Sequence, residues 1–246
     1  MLIALFADIH ANREAFEACL ADARANGAER YVFLGDLVGY GPDPAWVVDR
    51  VRAMVDEGAL AVLGNHDAAV DQPGIRLNPI ARAAIAWTRG QLDDGQRRFL
   101  AELPPDLNED DRLYVHANAE APEDWVYTLG PKEAHASFRA TAQRVTFCGH
   151  THRPALFNES ASSLPPLHTP AAGRPIPLLA HRRWLAVLGA VGQPRDYNPA
   201  ACYGLYDVAS SRLSFERVPY DADVTARKVI ALGLPVALAI RLSNGS

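Results

Sequence analysis

Aspartate, asparagine and histidine recur in this chain at five places, each just past a short apolar run. Asp8-Ile9-His10 follows residues 2–7, Gly35-Asp36 follows residues 31–34, and Gly64-Asn65-His66-Asp67 follows residues 60–63. His116 comes after Leu113-Tyr114-Val115, and Gly149-His150-Thr151-His152 after Val145-Thr146-Phe147-Cys148. These side chains offer the oxygen and nitrogen donors that divalent first-row metals take. In an open α/β sheet such groups meet in one crevice, because loops at strand ends converge there. The mixture of carboxylate, amide and imidazole is too large for one ion and suits two. Two ions ~3.5–4 Å apart need a carboxylate bridging both, and Asp36, the lone acid of its block, is the candidate. His150 and His152 are two apart, so an extended segment points both the same way.

The order of these blocks resembles the calcineurin-like metallophosphoesterases, which read D-x-H, G-D-x-x, G-N-H-[DE], an isolated H, then G-H-x-H. All five are present between Asp8 and His152. The phrase Gly35-Asp36-Leu37-Val38-Gly39-Tyr40-Gly41-Pro42 resembles the small bacterial and archaeal branch. Phosphoprotein phosphatases read G-D-x-V-D-R-G, and Gly39 and Tyr40 stand where that Asp and Arg would be. Their way of steadying the catalytic histidine and gripping phosphate is absent. The resemblance implies an α/β fold, a four-layer α-β-β-α sandwich of two mixed sheets with a dinuclear metal site at the loop end. It assigns Asp8, His10 and His152 to one ion, Asn65, His116 and His150 to the other, and Asp36 to both. It makes His66 the proton donor to the leaving oxygen, with Asp67 beside it to orient it or tune its pKa. Manganese is the first choice of metal, with iron, zinc and nickel equally able to use this donor set.

The activity so implied is hydrolysis of a small phosphate ester, whether phosphodiester, phosphomonoester or nucleotide, through a hydroxide bridging the two ions. A dinucleoside polyphosphate hydrolase and a phosphoprotein phosphatase are alternatives on the same core, the latter weakened by the missing D-R-G element. A non-enzymatic scaffold is a distant one, since His66 and every ligand position are filled. A serine hydrolase lacks G-x-S-x-G. Asn12 stands where a loop enters a helix, suited to capping it or to touching substrate phosphate. Arg195, in Gly192-Gln193-Pro194-Arg195-Asp196, is the candidate to supply the phosphate-binding cation that Tyr40 displaces, or else to fix its loop by a salt bridge. Before that loop the branch usually reads N-P-G-S, and here it is Leu188-Gly189-Ala190-Val191. Ala117-Asn118 likewise stands where a glycine and a small hydroxyl residue are common. His135, His168 and His181 fall outside the pattern, and Cys19 and Cys148 read as small buried apolar groups.

A chain of 246 residues with 49% apolar and 22% charged residues is globular in composition. The formal charge of −5, without a basic run, argues against a nonspecific nucleic-acid surface. Three cysteines with no C-x-x-C pair suggest reduced thiols and a cytoplasmic location. The first apolar run stops at Asp8, unlike a signal peptide. No apolar stretch reaches the ~20 residues that span a membrane. Homo-oligomerisation is left open.

Strand and helix alternate through the first third, which implies parallel strands covered by helices. Phe16, Leu20 and Ala23 recur at helical spacing before Gly27. Asp43-Pro44 reads as a cap and first-turn proline, followed by the stripe Val47, Val48, Val51, Met54 and Val55. Two helices are expected in residues 79–102 and another over 133–142. From Pro154 prolines punctuate short apolar pieces, predicting antiparallel strands near 176–179, 184–188, 203–208 and 213–218. Residues 224–232 read as a final helix. One domain is expected over residues 1–246, with the apolar tail from about 234 an edge strand, a dimer element or disordered.

Overall fold

The computed structural model describes residues 1–160 and 164–246. In chain order the elements are β1 (Leu2–Phe6), α1 (Arg13–Ala25), β2 (Arg30–Phe33), α2 (Pro44–Asp56), β3 (Leu60–Ala61), α3 (Asn65–Ala69), α4 (Pro79–Arg89) and α5 (Asp94–Ala101). Then follow β4 (Asp106–Glu109), β5 (Arg112–Val115), α6 (Pro131–Ala140), β6 (Val145–Cys148), β7 (Ala155–Asn158), β8 (Leu167–His168) and β9 (Ile176–Pro177). The chain closes with β10 (Trp184–Val187), β11 (Ala201–Asp207), β12 (Arg212–Val218), α7 (Ala222–Ala231) and α8 (Val236–Asn244). One sheet has the order β3-β2-β1-β11-β12-β9 and the other β4-β5-β6-β10-β7-β8. Both are mixed. β3, β2 and β1 run parallel, as do β5, β6 and β10, and the remaining pairs are antiparallel.

The pleat of β1 sorts its side chains between two cores, because successive residues face opposite sides. Ile3, Leu5 and Ala7 pack between the sheets with Tyr114, Phe147, Ala186 and Tyr206. Ala4 and Phe6 face outward into a second core with Phe16 and Cys19 of α1 and Val47, Val48 and Val51 of α2. The outer face of the other sheet is covered by Ala134 and Phe138 of α6, packed on Val115, Phe157, Leu185 and Val187. Burial on both faces explains why the strands read as continuous apolar runs rather than alternating ones.

Most expected elements are present, with boundaries moved by a few residues. The helix expected to reach Ala142 stops at Ala140, and the strand expected over 176–179 is only Ile176–Pro177. Asp43 precedes α2 without capping it by its side chain. Its carboxylate instead accepts from Lys228 Nζ at 2.9 Å. The tail from Val236 is a helix, not an edge strand. Leu238 and Leu242, one helical turn apart, are buried with Val229 and Leu234, against Ala81 and Ala84 of α4 and against Tyr40. A five-residue apolar run fits a strand or a helix equally by pattern, and the neighbouring α7 decides the outcome. No helix among the described residues is long and apolar enough to cross a membrane.

Leu238 is only 1% exposed. Leu238→Ala should therefore lower the unfolding free energy by about 2–4 kcal/mol, the range for a truncated core leucine. Urea denaturation of the variant beside the wild type measures it.

Candidate metal centre

Three parallel strands of each sheet end at the same place. β1, β2 and β3 deliver Asp8 and His10, Asp36, and Asn65. β5 and β6 deliver His116 and the pair His150 and His152, and the loop after β10 carries residues 188–196 past them. Main-chain bonds lace these loops together: Asp8 N donates to Gly35 O at 3.2 Å, His10 N to Asp36 O at 2.9 Å, Gly149 N to His116 O at 2.8 Å and Gly192 N to Asp8 O at 2.9 Å. Asp8, His10, Asp36, His150 and His152 all have φ between 48° and 66°. Non-glycine residues hold this left-handed conformation at a cost, and such strain gathers at functional sites.

The imidazoles define the chemistry. His10 Nδ1 lies 3.0 Å from Val38 O and His152 Nδ1 2.6 Å from Gln193 O. A carbonyl only accepts, so each Nδ1 must carry the proton, which leaves both Nε2 atoms as lone pairs. Those two Nε2 atoms face each other at 3.1 Å. His116 and His150 repeat the arrangement. His116 Nδ1 is 2.7 Å from Leu34 O and His150 Nε2 is 2.9 Å from Trp125 O, while His116 Nε2 and His150 Nδ1 face each other at 3.1 Å. In their neutral form, rings with their other nitrogens so pinned share no hydrogen bond across either gap. A cation between them satisfies both, and a ring N–H donated to a carbonyl is the usual support of a metal-bound histidine.

The carboxylates sit where those cations would need them. Asp8 Oδ1 is 3.5 Å from His152 Nε2 and 4.0 Å from His10 Nε2. Asp36 Oδ2 lies 3.6 Å from His10 Nε2 and 3.4 Å from His116 Nε2, between the two imidazole sets. Asn65 Oδ1 is 3.3 Å from His116 Nε2. All seven residues are buried. Burial lifts the Asp8 carboxyl to about 7, drops His150 to about 3, and holds His10 and His152 well below the usual imidazole range. Against the burial that opposes both, Asp36 and His116 keep each other charged, the imidazole at about 9 and the carboxyl well below its usual range. Divalent ions would stabilise the carboxylates and use the imidazoles in their neutral form.

His66 is buried at the N-terminus of α3, its ring 4.8 Å from that of His10 and 4.5 Å from that of Tyr40. Its Nδ1 has no hydrogen-bond partner. That atom faces Gly39, where a Cβ would lie 2.2 Å from it, at a φ of +84°. Asp67 does not orient His66 by a hydrogen bond. Its two oxygens accept from Val38 N and Gly64 N, both at 3.1 Å, tying the loop after β2 to the start of α3. Of the two roles open to Asn12, the structure shows helix capping. Its Oδ1 accepts from Ala15 N and Thr225 Oγ1, and its Nδ2 donates to Gly192 O and Tyr220 Oη. The loop around Arg195 is fixed by an ion pair between its neighbour Asp196 and Arg217. Among the described residues Arg195 has no carboxylate within ion-pair distance. Its guanidinium lies 5.5 Å over the Tyr40 ring, with Nε buried and unpartnered. Its charge adds to burial in pushing His152 down, which places it beside the cluster.

Sequence reasoning reached Asn118 but not the rest of the 118–127 loop. Asn118, which departs from the family's usual residue, shapes it by donating to Val126 O at 2.8 Å and accepting from Glu120 N at 2.9 Å. The loop brings the Trp125 carbonyl to His150 and stacks the Tyr127 ring on His150 at 4.0 Å. The aromatic pair Trp125 and Tyr127, nine and eleven residues past His116, was the available signal.

Residues 1–211 match the family described as the calcineurin-like phosphoesterase superfamily domain. The chain is 34% identical over 250 residues to the uncharacterized protein MJ0912 of Methanocaldococcus jannaschii, across 99% of this chain and 98% of that protein. Among solved structures it is 35% identical to the metallophosphoesterase of Sphaerobacter thermophilus, with a TM-score of 0.90 over 100% of this chain and 99% of that one. The hypothetical protein PH1004 of Pyrococcus horikoshii shares the fold, with a TM-score of 0.80 at 18% identity over 100% of this chain and 98% of that one.

Gly39→Ala should cost at least ~1–2 kcal/mol of stability, the left-handed penalty of a residue with Cβ, and displace the His66 ring. Denaturant unfolding reads the first effect and a crystal structure of the variant the second.

Proposed function

This chain belongs to the calcineurin-like phosphoesterase superfamily, and on that premise we propose that it is a dinuclear metal-dependent hydrolase of small phosphate esters. The observation that carries this reading is the position of Asp36 Oδ2, 3.6 Å from one imidazole set and 3.4 Å from the other. Asp8, His10 and His152 would hold one ion, and Asn65, His116 and His150 the other, with Asp36 shared. The facing lone pairs and the raised Asp8 carboxyl fit two divalent cations, manganese first among those that accept such donors. Bound there, the ions would offset charge on the phosphoryl oxygens and generate the nucleophile from water at neutral pH.

The protein's own groups do the rest. Arg195 brings a guanidinium without a carboxylate partner to the Asp8–His10–His152 side, where it receives phosphoryl oxygens by its planar fork. His66 delivers a proton to the leaving oxygen as the ester bond breaks. With no carboxylate on Nδ1, its imidazolium is favoured by the anionic substrate itself. Asp67 positions α3, and through it Asn65 and His66, by holding the Gly64 and Val38 amides. Gly39 and Tyr40, in place of Asp and Arg, set the chain apart from phosphoprotein phosphatases.

Metal-stripped protein titrated with manganese should saturate at two ions per chain by elemental analysis and gain activity on a panel of phosphomonoesters and phosphodiesters. Saturation at one ion, with Asp8 and His152 unligated, would overturn the dinuclear reading.

His66→Ala should keep both ions yet lose roughly 10²–10⁴-fold in turnover on alkyl esters. Nitrophenyl esters should lose far less, since a nitrophenolate leaves without a proton. Equal losses on the two ester types would remove the proton-donor role.

A further inference from the structure

A cavity of about 410 Å³ opens beside Asn65, His66 and His150, between the 74–78 segment and the 123–127 turn. That volume is of the size that holds an organic ligand and exceeds what a phosphoryl group alone fills. Among its lining, Tyr40, Trp125 and Tyr127 contribute aromatic rings, and Ile75 and Leu77 apolar surface. Tyr127 covers His150 with one face, the rings 14° from parallel, and at 45% exposure leaves its other face open for stacking. Glu123 and Asp124 line the same cavity against a single cation, Arg76, and among the described residues neither carboxylate has an ion-pair partner. Arg195 is not on these walls; it lies on the Tyr40 ring, near enough to His152 and also to His66 and Tyr127 for its charge to be felt at each.

The charges therefore set a direction. The transferred phosphoryl group faces the metal ligands and Arg195, the leaving oxygen meets His66, and the rest of the leaving group points into the aromatic cavity. A second phosphate on that leaving group would lie against two carboxylates. We infer that the substrate class is a phosphate ester whose leaving group is an uncharged, planar organic alcohol with no further phosphate, seated between Tyr127 and the 74–78 segment. This rests on the phosphoesterase reading above. In the reaction water adds to phosphorus, the P–O ester bond breaks, and the alcohol departs with a proton from His66.

Adenosine monophosphate and adenosine triphosphate make a matched pair of probes. Loss of the terminal phosphate releases uncharged adenosine from the first and a diphosphate from the second. The manganese-loaded wild type should show a kcat/KM for the monophosphate at least about tenfold above that for the triphosphate. Glu123→Gln with Asp124→Asn should shrink that ratio by about tenfold, through a higher triphosphate value. Calorimetry should show adenosine binding to the wild type and weaker binding to Tyr127→Ala. A wild-type preference for the triphosphate, or a ratio unmoved by the charge-removing variant, overturns the inference while leaving the phosphoesterase reading in place. Absence of hydrolysis of p-nitrophenyl phosphate, bis(p-nitrophenyl) phosphate and both nucleotides under every metal overturns both.

Discussion

Four imidazoles in this protein are each held by a ring N–H donated to a main-chain carbonyl, and their other nitrogens face one another in two pairs at 3.1 Å. Between neutral rings such an arrangement is repulsive unless something positive stands between them. The main-chain bonds between the loops hold the rings in place against that repulsion and against the cost of the five left-handed residues. The accepting carbonyls belong to Leu34, Val38, Trp125 and Gln193, which follow strands of both sheets. The same bonds that orient the rings therefore fix how the two sheets meet at their open end.

The seven candidate ligands were legible because each type is unusual directly after an apolar strand, and because five such places recur in a fixed order. What supports them was not. Backbone carbonyls carry no sequence signature, so nothing in Val38 or Gln193 announces that it fixes a tautomer. Asn12 and Asp67 were legible as polar residues next to the ligands, yet their roles turn on which amides lie within reach. Asp67 meets Val38 N, 29 residues away, and Asn12 meets Gly192 O, 180 residues away. Pattern at short range cannot weigh such contacts.

The fold divided in the same way. Helices α1, α2 and α4 were readable from their apolar stripes, and β1, β2 and β6 from uninterrupted apolar runs. β4, Asp-Leu-Asn-Glu, was not, because it pairs with β5 at a sheet edge where polar side chains remain partly exposed. It is held there in part by Glu109, which accepts from Arg112 and Tyr114. Helix α8 was unreadable for the opposite reason: its apolar residues suit several partners, and only packing on α7 selects one.

Tyr40 joins these threads. Where the phosphoprotein phosphatases carry an Asp-Arg pair, Gly39 gives the His66 ring room and Tyr40 packs against it, with ring centroids 4.5 Å apart and the His10 ring 4.6 Å away. A guanidinium from a distant loop, that of Arg195, rests on the same Tyr40 ring. Such a stack of residues far apart in sequence holds only if Tyr40 is held from behind. Its backing is the apolar cluster of Ala81, Ala84, Val229, Leu234, Leu238 and Leu242. Helices α7 and α8 and the turn between them, which supply four of those residues, lie past the stretch that matches the family domain. The C-terminal helices thus bear on the site through Tyr40, the one aromatic ring against which both His66 and Arg195 lie.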